Sequence, residues 1–156
     1  MYADLRQEPK SAIKYFDAAY TTLLELIPTT SRQYPMRSTE IKMTAEYINY
    51  KLCKILLYTN AADAVTQFQR HVSTFIPLVG PNELVHEHWF FIAKQYRSFG
   101  ELVETAIKVG AVSIEQIQHP GYYYQVAASY TGQRKLARAL SFVCFFIVIF
   151  TNKKKQ

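Results

Sequence analysis

The sequence predicts an all-α fold: an antiparallel α-solenoid of tetratricopeptide-like helical hairpins with about five long helices. The first ground is periodicity, since apolar residues recur at alternating spacings of three and four in segment after segment. The second is punctuation. Only 5 Gly and 6 Pro in 156 residues leave little turn chemistry, so elements run long. The third is the lack of period-two alternation over any stretch bounded by turns. The apolar run Phe142–Phe150 is the one segment where β-branched and aromatic residues make a strand the rival assignment.

Each helix has its own stripe. From Pro9, a good first-turn residue, Ile13, Phe16, Tyr20, Leu23 and Ile27 share one face, and Pro28 ends the element. The second helix is expected from Ser38 or Thr39, either a suitable N-cap, to Tyr58. Its stripe is Ile41, Ala45, Ile48, Leu52 and Ile55, widened by Tyr47, Tyr50 and Leu56, with Asn60 as the stop. The third carries Ala61, Val65, Phe68, Val72 and Phe75 and halts at Pro77 and Gly80.

The fourth and longest is expected from Asn82 to Val109, on Val85, Trp89, Ile92, Tyr96, Phe99, Val103 and Ile107. Gly100 inside it costs about 1 kcal/mol against alanine unless a neighbour packs closely there. Gly110 is the expected C-terminal cap. A helical turn, "SIEQIQ", then leads to the breaker "HPG", and a fifth helix begins near Tyr122. The segments "AIKYFDAAY", "AVTQFQRHV" and "YYYQVAASY" each pair a small residue with an aromatic at helical spacing. Stacked hairpins need that alternation, because a small residue on one helix receives a large one from the next.

Composition is that of a globular domain, with 49% hydrophobic and 19% charged residues. Two cysteines, Cys53 and Cys144, make neither a disulfide framework nor a metal set and suit a reducing compartment. The net charge is +6, but Lys153, Lys154 and Lys155 supply half of it. The remaining excess is too slight to indicate nucleic-acid binding. The start, "MYADLRQEPK", is polar and mixed in charge, unlike a signal peptide.

The closing segment "ALSFVCFFIVIF" spans about 18 Å as a helix against a hydrocarbon core of about 30 Å, so it is too short to cross a bilayer. It is expected to extend the fifth helix and cover an apolar face, or else to form a disordered, aggregation-prone end gated by the lysines after it.

Enzyme signatures are missing: no glycine-rich phosphate loop, no nucleophile elbow, no cysteine pair at zinc spacing. In "VHEHW", His86 and His88 flank Glu87, yet residues two apart on a helix project to different sides. These read as polar surface residues at a helix start. Cys53 sits beside the second stripe and reads as a buried, inert thiol. Tyr123, Ala127 and Tyr130 share one face of the fifth helix, while Tyr122 and Tyr124 point elsewhere. Tyr122 and Tyr124, with the off-stripe Phe90 and Phe91, are therefore the candidate partner contacts. No cofactor is indicated.

Four stretches together carry a family resemblance: "EIKMTAEYINYKLC" (40–53), "DAVTQFQRHVSTF" (63–75), "HEHWFFIAKQYRSFGELVETAI" (86–107) and "HPGYYYQVAASYTGQRKLA" (119–137). In this order they resemble the foie gras domain family of the trafficking protein particle (TRAPP) complex, over residues 5–140. The resemblance implies a non-enzymatic scaffold working with other TRAPP subunits, linked only indirectly to a Rab GTPase. It implies work in endoplasmic-reticulum-to-Golgi transport, vesicle tethering and autophagy, in the cytoplasm and peripherally at the Golgi or the ER–Golgi intermediate compartment. Neither nucleic acid nor a membrane span belongs to it. The likeness is read as stopping near Ala139, which leaves 141–156 as an unrelated hydrophobic and basic tail of a fragment. An adaptor that binds peptides outside TRAPP, or a truncated form without function, are the other readings.

Overall fold

The computed structural model describes the backbone of residues 8–27 and 35–153, and the side chains of 8–27 and 38–143. Among these residues five helices follow in order: α1 (Pro9–Glu25), α2 (Pro35–Thr59), α3 (Ala61–Phe75), α4 (Val85–Lys108) and α5 (Pro120–Lys153). A 3₁₀ turn, Asn82–Leu84, introduces α4. No strand occurs among the described residues. The expected stop at Pro28, the connection after it, and Lys154 and Lys155 lie outside the described residues.

The ends follow local chemistry. Asn60 separates α2 from α3 and caps the latter: its side-chain oxygen accepts from the Ala62 N–H at 3.2 Å, and its amide donates to Asp63 at 2.8 Å. Gly110 adopts φ +74° just past α4, and the Ala111 N–H returns to the Ala106 carbonyl at 2.9 Å. That is the left-handed cap expected from sequence.

Two starts were placed too late by sequence. α2 begins at Pro35 rather than Ser38 or Thr39, since proline at a first helical position forfeits no hydrogen bond. α5 begins at Pro120 rather than near Tyr122. The "HPG" segment initiates this helix, with the His119 Nδ1 accepting the Gly121 N–H at 3.1 Å. The "SIEQIQ" segment is an irregular turn, anchored by the buried Val112 and Ile117.

Consecutive helices pair: α1 with α2, α2 with α3, and α4 with α5, while α2 and α3 also close onto α4. The main core joins Leu52, Leu56 and Leu57 of α2, Phe68 and Val72 of α3, Phe99 and Val103 of α4, and Tyr123 of α5. Phe68 stacks on Phe99 at 4.1 Å and meets Tyr96 and Tyr123 edge-on at 5.1 and 5.9 Å. A second cluster gathers Tyr20, Ala45, Phe75 and Ile92.

Gly100 shows what its stripe position is for. A Cβ there would lie 3.0 Å from Tyr124 Cε1 and 3.2 Å from Tyr123 Cβ. The glycine lets α5 lie close on α4, the near neighbour that its helix-breaking cost required. Tyr47 and Tyr50 do not widen the buried stripe of α2: they are 59% and 42% exposed. α2 meets α1, α3 and α4 on its other faces, which leaves their side in solvent.

Candidate interaction surface

The surfaces rest on an interior with more polar groups than the stripes suggested. Asn49, Gln67, His71, His88 and Gln95 are all buried. Asn49 Oδ1 accepts from Gln67 at 3.1 Å and from the Cys53 thiol at 3.6 Å. Burial pushes that thiol well above its ordinary pKa, so it stays protonated and unreactive at neutral pH.

Tyr20 and His71 are both fully buried and share a hydrogen bond of 2.7 Å between the hydroxyl and Nδ1. The other ring nitrogen, Nε2, has no partner among the described residues. Burial pulls the His71 pKa from 6.5 to about 4, with the neighbouring Gln95 acting weakly the other way, so the ring is neutral. His88 was expected at the surface and is instead 2% exposed. The Lys42 ammonium donates to its Nδ1 at 3.2 Å and to the Leu78 carbonyl at 3.1 Å. That assigns the ring proton to Nε2, which donates to the Ile76 carbonyl at 3.1 Å. Burial, then the Lys42 charge, bring the His88 pKa down to about 4. His86 turns the other way, 3.2 Å from Glu87. The pair of histidines is thus split between interior and surface, and no group of three metal-ligating residues occurs among the described residues.

The four candidate contacts do not converge. Phe90 is 43% exposed, with the Arg134 guanidinium 4.3 Å above its ring. Phe91 is only half-buried on the outside and packs inward, 5.6 Å from Phe75 and 6.1 Å from His71. Tyr122 is 49% exposed. Tyr124 is half-buried over Gly100, and its hydroxyl donates to Glu104 at 2.7 Å. Burial first, then that carboxylate, raise the Tyr124 pKa to about 12. Since Arg134 marks the Phe90 end, Tyr122 and Phe90 sit roughly 18 Å apart along α5 at 1.5 Å per residue.

Two longer faces run beyond these four residues. On α2, the exposed Met43, Tyr47, Tyr50 and Tyr58 form one stripe, with Lys51 5.9 Å over the Tyr47 ring. On α5, Tyr123, Ala127 and Tyr130 face α4 as expected, Tyr130 stacking 5.7 Å from Trp89 and 5.6 Å from Tyr96. The opposite side runs exposed from Tyr122 through Leu136 (63%), Leu140 (56%) and Val143 (53%). α5 does extend as one helix to Lys153, but Leu136, Leu140, Phe142 and Val143 on it stay exposed among the described residues. No described helix is long and apolar enough to cross a membrane.

A chain of packed helices whose polar chemistry is spent inside, and whose unspent surface is helix faces, belongs to the class of helical packing modules. Its family follows from comparison: the profile of Foie gras liver health family 1 matches residues 37–152, and the chain belongs to that family. It is 39% identical over 141 residues to trafficking protein particle complex subunit 11 of Bos taurus, covering 89% of this chain and 12% of that protein. The Homo sapiens subunit 11 is 38% identical over the same length, with the same shares of both chains covered. The Gallus gallus protein is 38% identical over 135 residues, covering 86% of this chain and 11% of its own. This chain therefore spans about 12% of the length of those relatives. No solved structure matches it. The family match, like α5 itself, continues across Ala139.

Proposed function

We propose that this chain is a non-catalytic scaffold module of the TRAPP complex, an α-solenoid segment that presents helix faces to other subunits. One observation carries the reading: 39% identity to a TRAPP subunit 11 across 89% of the chain. The fold is consistent with it, since consecutive helices pair as hairpins and α5 keeps a long exposed face. On this reading the module serves endoplasmic-reticulum-to-Golgi transport, vesicle tethering and autophagy. It is held peripherally at Golgi membranes by the assembled complex and linked to a Rab GTPase only through other subunits.

The test is affinity capture from cell lysate of tagged 1–156 beside a version ending at Ala139, read by mass spectrometry for TRAPP subunits. Recovery by both makes the packed part the assembly surface. Recovery by 1–156 alone places the surface on the second half of α5, and recovery by the shorter version alone makes 140–156 an obstructing tail. Recovery by neither refutes the reading.

A further inference from the structure

We infer that the outer face of α5 is the seat of a further α-helix with acidic flanks. The inference rests on the scaffold reading and names both the face and the chemistry of its partner.

Charge is the first ground. Residues 1–119 hold twelve Lys and Arg and twelve Asp and Glu, and are neutral overall. Residues 120–156 hold six Lys and Arg and no acid at all. The whole net charge of +6 thus lies on α5 and the residues after it. Among the described residues the ion pairs all join residues before α5, and Arg134 is engaged with the Phe90 ring. Lys135 and Arg138 are exposed beside the apolar face, where a complementary partner must bring acids.

Shape is the second ground. Tyr122, Gln125, Ala128, Gly132, Leu136 and Leu140 recur at spacings of three and four on the side away from α4, and all six are exposed. Glycine is, after proline, the least favourable residue in a helix interior. At Gly100 of α4 the structure shows why one is present: two tyrosines of the next helix rest on it at 3.0–3.2 Å. Gly132 of α5 occupies the matching place on the bare face, and a Cβ there meets nothing within 4 Å. The α4–α5 arrangement, glycine under the aromatics of the following helix, is set up once more without its cover.

The same residues choose a helix over a lipid surface. A helix lying in a membrane interface presents large apolar residues along its buried side. Here the middle of the face is Ala128, Ser129 and Gly132, a shallow trough that admits a backbone cylinder and gives lipid little to hold.

The probe is a stapled, fluorescein-labelled peptide copying Pro120–Arg138 with Arg134→Glu, Lys135→Glu and Arg138→Glu, so that it keeps the tyrosine pair and gains acidic flanks. Binding to the purified 1–156 chain is followed by anisotropy, beside a twin peptide with the original cations. The acidic probe should bind, with affinity falling about tenfold, or 1.4 kcal/mol, on Gly132→Leu. Gly132→Ala should raise the melting temperature yet still weaken the probe, which separates lost binding from lost folding. The chain carrying Lys135→Glu and Arg138→Glu should reverse preference and take the cationic twin.

No binding of the acidic probe, or equal binding to Gly132→Leu, overturns the inference. So does flotation of the chain with vesicles of phosphatidylcholine and phosphatidylserine without probe binding, which assigns the face to lipid. A dimer in light scattering that Gly132→Leu dissolves also overturns it, by assigning the face to a second copy. Capture of TRAPP subunits by the Gly132→Leu chain at the wild-type level, with probe binding lost, would leave the assembly reading standing and place it on another face. Probe binding without capture would do the opposite.

Discussion

The two faces of α5 share a backbone and differ in everything else. Toward α4 lie Tyr123, Ala127 and Tyr130, the first two buried and both tyrosines in ring contact with α4. Away from α4 lie small residues and then exposed leucines, beside cations without acids. Both faces meet a glycine. Gly100 is filled from above by tyrosine, while Gly132 is open. A glycine in a helix is therefore not one kind of residue: its energetic sign is set by the neighbour, which helix periodicity alone does not reveal.

The largest test of the comparison is on the packed side. Phe68→Ala removes a ring stacked on Phe99 and edged by Tyr96 and Tyr123, and should cost about 3–5 kcal/mol in urea unfolding. A loss as small as that of a surface substitution would break the claim that α5 is locked onto α3 and α4 through these rings.

Acid comes next. The His71 pKa is lowered on folding, from 6.5 to about 4, so the unfolded chain binds the proton more readily. Stability from this group is whole above pH 6.5 and declines as pH falls toward 4, by about 3 kcal/mol in all. His88 pulls in the same direction. Urea midpoints taken across that window should drop, and a flat profile would show that water reaches the Tyr20–His71 pair.

The glycines give the sharpest contrast with smaller numbers. Gly100→Ala gains helix propensity but presses its Cβ against the Tyr123 Cβ, which has little room to yield, for a net loss of about 1 kcal/mol. Gly132→Ala meets open space and should gain about 0.5–1 kcal/mol. Opposite signs in thermal melts support the two-faced picture, and equal signs dismiss it. Smallest of all, Lys135→Glu with Arg138→Glu should move the stability of the isolated chain by no more than about 0.5 kcal/mol, because both side chains are exposed and unpaired by acids on α5.

Most stripe positions were legible because one helix buries one face at a fixed spacing. Leu52, Phe68, Ile92, Phe99 and Val103 are all interior as their spacing requires. His71 was missed although it stands on that same spacing, with Ala64, Phe68 and Phe75. Histidine is a residue type that favours the surface, and a hydrogen bond to the Tyr20 hydroxyl, 51 positions away, offsets the cost of burying it. Tyr47 and Tyr50 erred in the other direction, since nothing local tells which side of an apolar helix will receive neighbours. Phe90 and Phe91 are adjacent and alike in sequence, yet one lies under Arg134 in solvent and the other against Phe75.

By itself, then, the sequence determined the helices, their caps at Asn60 and Gly110, the family, and the concentration of positive charge toward the end of the chain. These are local or additive properties, readable residue by residue. Tertiary structure alone decided which histidine is buried, which glycine is covered, and which face of α5 is left bare. Those depend on pairings between residues far apart in the chain, and no periodicity within one helix encodes what its neighbour will bring.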